Sequence, residues 1–200
     1  MSRSSTVVEL KAFESRVAGA FEAGLIRAPV HLSGGNEEQL IEIFKAIRPQ
    51  DWVFSTWRSH YHALLKGIPE EWLWEEIVAG RSMYIENAEY KFVSSSIVGG
   101  ILPIALGVAL AAKWKGLDEK VWVFMGDMTA LTGIAHESMR YARNFGLPMW
   151  AIIENNGLST NTPTAEVWGG EKGPRDYNGQ YYIYERQWPH VGSGRWVNFG

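Results

Sequence analysis

The sequence predicts an α/β fold, a three-layer domain in which a mostly parallel sheet is flanked by helices. Residues 121–125 and 149–153 are two short, continuously apolar runs, as expected for parallel strands buried on both faces. Between them, residues 133–144 carry apolar side chains at helical spacing, and Gly146 and Pro148 end that pattern. A strand, a helix and a strand in this order form a right-handed crossover with parallel strands. The α/β class follows from this unit.

The other predicted elements rest on similar signals. Apolar residues recur near helical spacing in the first part of the chain, and Pro49 stops a second amphipathic stretch. Pro69 and the acidic residues after it mark the start of another helix. In chain order, we expect helices at residues 6–26 and 37–47, a strand at 51–54, helices at 69–80 and 99–114, and an edge strand at 181–184.

The composition is that of a globular domain. The 200 residues are 46% hydrophobic with a net charge of −3, and no block of like charges favours nucleic acid or a membrane surface as the main partner. The chain has no cysteine, and neither a signal peptide nor an 18-residue apolar run is found. We therefore expect a cytoplasmic protein with one domain over residues 1–200, of which residues 166–200 form an irregular C-terminal tail.

Polar residues follow both strands of the crossover unit. Gly126-Asp127 ends the first apolar run and Asn155-Asn156 ends the second, so their side chains emerge at the carboxyl edge of the sheet, where ligands bind in such folds. A carboxylate and an amide oxygen, with a backbone carbonyl beyond them, suit a hard cation such as Mg²⁺ that also holds phosphate oxygens. The alternative is structural: Asp127 caps a helix and the asparagines form a turn.

These residues resemble a known signature. With Asp127 and Asn156 separated by 156 − 127 = 29 positions, Gly126-Asp127 and Asn155-Asn156 resemble the thiamine diphosphate motif, which runs from Gly-Asp-Gly to Asn-Asn. Glu137 and the Glu-Asn-Asn-Gly turn resemble, within that transketolase-like superfamily, the alpha subunit of the 2-oxo acid dehydrogenase decarboxylating component. The resemblance implies the thiamin diphosphate-binding fold.

The resemblance covers residues 7–165 and implies a set of cofactor contacts. Asp127, Asn156 and the carbonyl of Leu158 would hold Mg²⁺, and two phosphate oxygens and a water would complete six-fold coordination. The residues at the family's cofactor-binding positions are Trp57, Arg58, Ser96, Val98, Gly126, Asp127, Met128, Thr129, Asn156 and Leu158.

Two positions depart from the family pattern near the cofactor. Met128 stands where the signature has its third residue, a glycine, and Ser96 stands where the family usually has glycine. Glycine lets the backbone approach a phosphate and adopt positive φ, whereas methionine must use an ordinary conformation and send its side chain elsewhere. We expect these departures to bear on cofactor affinity.

Aromatic and basic residues follow the predicted strand at 51–54. The guanidinium of Arg58 matches a phosphate bidentately, and Trp57 can orient it. The segment resembles the family's Tyr-Arg-x-His, which implies that His60 is a proton donor or oxyanion partner. His31, in a segment that resembles the family's His-Leu before Gly-Gln-Glu, is a second candidate at the rim of the active site. The alternatives are that His60 and its neighbour His62 lie on a surface loop and that His31 is structural.

The resemblance implies an enzyme subunit that acts with thiamine diphosphate and Mg²⁺ on a small 2-oxo acid. It implies a beta-type subunit that supplies the pyrimidine-binding domain and the activating glutamate, in an assembly of two alpha and two beta chains, with a lipoyl-bearing acyltransferase as a further partner. One alternative is a split transketolase or another thiamine diphosphate-dependent decarboxylase subunit. Another is a non-catalytic assembly subunit that has lost the cofactor.

Overall fold

The computed structural model describes residues 6–169 and 178–199, which form two compact units. The helical unit comprises residues 6–49, 57–96 and 185–199, and the sheet unit comprises residues 50–56, 97–169 and 178–184. The elements in chain order are α1 (Val7–Glu22), α2 (Glu37–Phe44), β1 (Trp52–Thr56), α3 (His60–Lys66), α4 (Glu70–Val78), β2 (Glu86–Asn87), β3 (Phe92–Ser95), α5 (Ile101–Trp114), β4 (Val121–Gly126), α6 (Asp127–Ala130), α7 (Gly133–Asn144), β5 (Met149–Asn155), β6 (Leu158–Ser159), β7 (Thr162–Pro163), α8 (Thr164–Trp168) and β8 (Gly179–Ile183).

The sheet unit is built on four parallel strands in the order β1, β4, β5, β8. The register places Val121 of β4 between Trp52 and Met149. β4 is buried up to its last residue because its apolar run is enclosed by neighbouring strands and by α5, against which α7 packs. Close pairing of β5 and β8 requires Gly179, since a Cβ there would lie 1.7 Å from the carbonyl oxygen of Ala151.

The helical unit is formed mainly by α1 to α4, which pack against one another in succession. A capping box starts α1: Glu9 N donates to Thr6 Oγ1 at 3.2 Å, and Thr6 N donates to Glu9 Oε2 at 2.8 Å. The apolar stripe of α1 supplies Leu10, Phe13 and Val17 to the core of this unit. β2 and β3 pair antiparallel in the same unit.

The predicted fold class is confirmed: the chain is α/β, with a mostly parallel sheet and flanking helices. The predicted helices form as α1, α2, α4, α5 and α7, and the predicted strands form as β1, β4, β5 and β8. The segment 166–200, predicted to be an irregular tail, contains the end of α8 and all of β8. Both this assignment and the single domain over residues 1–200 stay predictions. No helix in the described part of the chain is long and apolar enough to cross a membrane.

Candidate functional site

Asp127, which the resemblance implies is a metal ligand, is buried in the sheet unit. It is the first residue of α6, directly after β4, and its side chain is 6% exposed. Thr164 Oγ1 donates to its Oδ2 at 2.5 Å, whereas Oδ1 is buried without a hydrogen-bond partner among the described residues. The alternative in which Asp127 caps a helix is wrong, because the N-cap of α6 is Gly126 and no side chain caps that end. One carboxylate oxygen is thus fixed, and the other has no hydrogen-bond partner among the described residues.

The asparagines at the end of β5, Asn155 and Asn156, form a turn, as the structural alternative predicted. Gly157 N donates to Asn155 Oδ1 at 2.7 Å, and Leu158 N donates to Asn156 Oδ1 at 3.0 Å. An amide oxygen has two lone pairs, so this bond still allows Asn156 Oδ1 a second partner. Thr164 N donates to the carbonyl of Gly157 at 2.9 Å. Thr164 therefore holds the turn and the Asp127 carboxylate together.

Three tyrosines of the β8 region fix the side chains of this turn. Tyr182 Oη donates to Glu154 Oε1 at 2.5 Å, and Asn156 Nδ2 donates to Tyr184 Oη at 3.2 Å. Asn155 Nδ2 likewise donates to the hydroxyl of Tyr181. The parallel pairing of β8 with β5 places each hydroxyl beside the end of β5. The sequence showed a strand here but gave no sign of this role.

The carbonyl of Leu158 is not used by the β6–β7 hairpin. Leu158 lies opposite Pro163 in the antiparallel register, and proline has no N–H to donate. Thr164 N donates to the carbonyl of Gly157, so Gly157 and Thr164 form a hydrogen-bonded pair. Hydrogen-bonded and non-hydrogen-bonded pairs alternate along an antiparallel ladder, so the backbone groups of Leu158 and Pro163, the next pair, point away from each other's strand. The carbonyl, next to Asn156, therefore points away from the hairpin.

Met128 adopts an ordinary backbone conformation, as the sequence predicted for a residue other than glycine. It lies within α6 in ordinary helical conformation, and its Sδ accepts a hydrogen bond from Trp168 Nε1 at 2.7 Å. The following residue, Thr129, is buried, and its carbonyl accepts a bond from Thr132 Oγ1 at 2.7 Å.

The two predicted cofactor-binding residues before α5 are both exposed to solvent. Val98 is 52% exposed, and Ser96 lies two residues before it in the chain. Ser96 belongs to the helical unit, whereas Val98, Met128 and Thr129 belong to the sheet unit.

Arg58 is anchored to backbone within the helical unit. Its Nη1 donates to the carbonyl of Leu32 at 2.5 Å, and its Nη2 donates to the carbonyl of His190 at 3.4 Å. The rings of Trp57 and His31 have centroids 5.8 Å apart. The structure thus brings Trp57 and His31 together beside Arg58, and it adds His190, which was missed because the residues after 165 carry no family motif.

His60 is a buried member of a hydrogen-bond network, and the alternative that His60 and His62 lie on a surface loop is wrong. Both are in α3, with exposures of 0% and 1%. His60 Nδ1 lies 3.0 Å from both carboxylate oxygens of Glu14, and His60 Nε2 lies 2.9 Å from Ser82 Oγ. Ser33 N also donates to Glu14, at 2.6 Å. The network ties α1, α3 and the segment after His31 together.

His31 is the most electrostatically perturbed of the predicted site residues. It is 6% exposed, and its Nδ1 is buried without a hydrogen-bond partner among the described residues. Burial, and then the charges of Arg58, His190, His60 and Arg186, lower the pKa of His31 to about 3. The imidazole is therefore neutral at physiological pH.

Comparison with known proteins places the chain in a family. Residues 5–172 match the family described as Dehydrogenase E1 component. The alpha subunit of acetoin:2,6-dichlorophenolindophenol oxidoreductase from Bacillus subtilis (strain 168) is 30% identical over 167 residues, which cover 78% of this chain and 50% of that protein. The pyruvate dehydrogenase E1 component subunit alpha of Rickettsia bellii (strain RML369-C) is 29% identical over 166 residues, covering 78% and 51%. The chain thus spans about half the length of these relatives.

Proposed function

The chain belongs to the dehydrogenase E1 component family, and from this premise we propose that it is a thiamine diphosphate- and Mg²⁺-dependent subunit of an enzyme that decarboxylates 2-oxo acids. The observation that carries the proposal is the Asp127 carboxylate, which is buried at the end of β4 with one oxygen unpartnered among the described residues. A buried ionised acceptor without a partner is costly, and a cation beside it would offset that cost.

The oxygen atoms around Asp127 suit Mg²⁺. Asp127 would contribute one charged oxygen, and the Asn156 side chain and the Leu158 carbonyl would contribute two neutral oxygens. Among residues 6–169 and 178–199, no three His, Cys, Asp or Glu side chains form a group that could hold a metal ion. This fits a cation that takes its remaining ligands from phosphate and water, rather than one enclosed by protein.

The chain's own residues would bind and orient the cofactor. When bound, thiamine diphosphate supplies a nucleophilic carbon and an electron sink for decarboxylation. Thr164 and Tyr184 would keep Asp127 and Asn156 in place, Gly126 and Thr129 would border the diphosphate, and Val98 would contact the ring. In this proposal the guanidinium of Arg58 grips a phosphate, because a planar fork matches that group.

The proposal includes partners that this chain does not supply. A beta-type subunit would contribute the pyrimidine-binding domain and the glutamate that activates the cofactor, in an assembly of two alpha and two beta chains. A lipoyl-bearing acyltransferase would accept the product. Product analysis with a panel of 2-oxo acids and ketose phosphates separates this function from a split transketolase or another decarboxylase.

The departure at Met128 favours a second candidate, a non-catalytic assembly subunit. The Met128 side chain bonds to Trp168, so a contact internal to this chain occupies the place where the signature has glycine. Calorimetric titration with Mg²⁺ and thiamine diphosphate decides between the two functions. It should be made on this chain alone and with a beta-type partner polypeptide, because the cofactor of a split site needs both.

Asn156→Ala tests the metal assignment in the same titration, because it removes a proposed metal ligand. Asn144→Ala, at an exposed position of α7, is its control. We expect Mg²⁺-dependent cofactor binding in the parent and the control and none in Asn156→Ala. Unchanged affinity in Asn156→Ala would contradict the metal assignment. Absence of binding in the parent, with and without the second polypeptide, would favour the non-catalytic subunit.

A further inference from the structure

We propose that Tyr184 is a positioning residue for the metal site, whose hydroxyl holds the Asn156 amide in the arrangement in which the amide oxygen can bind Mg²⁺. Two other tyrosines of this region, Tyr181 and Tyr182, bond to side chains that are not proposed ligands, and we assign them to the stability of the sheet unit alone. The proposal deepens the proposed function and rests on it for the metal. It gives a part in the site to a residue that lies beyond the family resemblance.

The first observation is that the Asn156 amide is held at both ends. Its Oδ1 accepts a hydrogen bond from Leu158 N at 3.0 Å, and its Nδ2 donates to Tyr184 Oη at 3.2 Å. Only the oxygen of an amide has lone pairs for a cation, and the bond from Leu158 N leaves one of the two lone pairs for a second partner. Turning the amide around would set its NH₂ group against the N–H of Leu158. The two bonds therefore keep the oxygen beside Leu158, whose carbonyl is the other proposed neutral ligand.

The second observation is that Tyr184 is itself fixed by its surroundings in the sheet unit. Its backbone N donates to the carbonyl of Asn155 at 2.9 Å, which continues the pairing of β8 with β5. Its ring centroid lies 5.9 Å from that of Tyr182, and the hydroxyl of Tyr182 donates to Glu154 Oε1 at 2.5 Å. Because Tyr184 is already in place, the amide that it contacts loses little further freedom when a cation binds.

The third observation is that the three hydroxyls contact three consecutive side chains, of which only one is a proposed ligand. The pairs are Glu154 with Tyr182, Asn155 with Tyr181, and Asn156 with Tyr184. Replacing any of these tyrosines with phenylalanine removes one hydroxyl from the same part of the sheet unit. The chain therefore contains its own matched controls.

The contact also links the pairing of β8 to the affinity for metal. The backbone bond of Tyr184 to Asn155 depends on that pairing, so the hydroxyl reaches Asn156 when β8 is paired with β5. Such linkage is reciprocal: if the contact raises the affinity for Mg²⁺ by a certain factor, bound Mg²⁺ raises the stability of the paired strand by the same factor. A tyrosine that only supported the sheet would stabilise β8 equally with and without metal.

The first test is a calorimetric titration with Mg²⁺ at saturating thiamine diphosphate, on this chain together with a beta-type partner polypeptide. Tyr184→Phe should weaken Mg²⁺ binding about fivefold, the effect of losing one hydrogen bond between neutral groups. Tyr181→Phe and Tyr182→Phe are the controls, and both should bind Mg²⁺ as the parent does. An unchanged affinity in Tyr184→Phe, or an equal loss in either control, would overturn the positioning role.

The second test is hydrogen exchange of the backbone amide at position 184 in the same assembly. We expect Mg²⁺ and thiamine diphosphate to slow this exchange about fivefold more in the parent than in Tyr184→Phe, as reciprocity requires. Equal slowing in the two proteins would mean that Tyr184 serves the fold alone, and would overturn the proposal.

The third test needs neither metal nor cofactor. In this chain labelled with ¹⁵N, nuclear Overhauser cross-peaks should join the Asn156 side-chain amide protons to the Tyr184 ring, and their absence would overturn the contact. Cross-peaks in a parent that binds no Mg²⁺ would overturn the proposed function and the metal role of Tyr184 with it, so the two failures are distinguishable. The backbone amide spectrum shows whether each variant is folded. If Tyr184→Phe is not, the loaded parent decides, because loss of these cross-peaks on Mg²⁺ binding would overturn the role and their retention would support it.

Discussion

Replacing Asp127 with asparagine separates a metal ligand from a structural carboxylate, because the change keeps the shape of the side chain and removes its charge. In the protein without metal, the buried Oδ1 has no hydrogen-bond partner among the described residues. Leaving such an atom unpaired lowers the free energy of unfolding by about 1–3 kcal/mol or more. A neutral amide costs less to bury. We therefore expect metal-free Asp127→Asn to unfold at the parent's temperature or above it, by about 2–4 °C for each kcal/mol in a chain of this size.

The loaded protein should respond in the opposite direction. If the parent binds Mg²⁺ and thiamine diphosphate, adding them at about 100 times their dissociation constant should raise its free energy of unfolding by about 2.7 kcal/mol. Asp127→Asn should lose most of that increment, since a neutral oxygen is a weak ligand for Mg²⁺. The assay is thermal unfolding with and without Mg²⁺ and cofactor, on the assembly that binds them. Asp118→Asn, an equal loss of charge at an exposed position, is the control.

Two results would refute this reasoning. If Asp127→Asn keeps the full ligand-dependent increment, the carboxylate does not hold the metal. If the metal-free variant is instead destabilised by several kcal/mol while Asp118→Asn is not, the Asp127 charge is satisfied within the protein and the bond from Thr164 would be its main role.

Three other changes test separate parts of the site. Arg58→Ala should weaken cofactor binding by about 1.5–3 kcal/mol through loss of a charge-assisted bond, measured by calorimetry. The control is Arg140→Ala, an equal change at an exposed position of α7, and equal affinities of the two variants would place the phosphate grip elsewhere. Met128→Gly should lower the free energy of unfolding by about 1 kcal/mol in urea without weakening cofactor binding, and weaker binding would mean that the Met128 side chain contacts the cofactor. The folded-state pKa of His31 is about 3, so between pH 6.5 and that value the unfolded chain binds a proton that the folded chain does not. The free energy of unfolding should therefore decrease as the pH is lowered through this window, by at most about 1.4 kcal/mol per pH unit. His31→Asn should reduce that slope in urea unfolding curves recorded at several pH values. An unchanged slope would show that other groups cause it.

The sequence predicted the fold where a pattern extends over several residues. The apolar runs of β4 and β5 and the helical spacing of α7 identify the crossover unit, and its handedness places Asp127 and Asn156 at one edge. The short helices α3 and α6 were missed, because each has two turns or fewer. So short a helix does not repeat its apolar positions often enough to show helical spacing in the sequence.

The supporting contacts of the site could not be predicted in the same way. Thr164 lies 37 positions from Asp127, and the bond between them depends on where the β6–β7 hairpin delivers that hydroxyl. The contact of Tyr184 with Asn156 depends on the register of β8 against β5, and a slip of one residue would turn these side chains to opposite faces. A sequence pattern predicts which strands are present more readily than it predicts their exact pairing.

His60 shows how a motif position and a role differ. A general acid must reach the proton acceptor of its substrate within hydrogen-bond distance, whereas His60 is 0% exposed and both of its ring nitrogens face protein groups. Glu14 lies beside Nδ1 and also accepts the bond from Ser33 N, so His60 and the segment after His31 share one buried carboxylate. This geometry favours a positioning role for His60: it holds the Glu14 carboxylate, and Glu14 in turn holds the segment after His31. The catalytic role of His60 stays a prediction, and it would require the bonds to Glu14 and Ser82 to open during turnover.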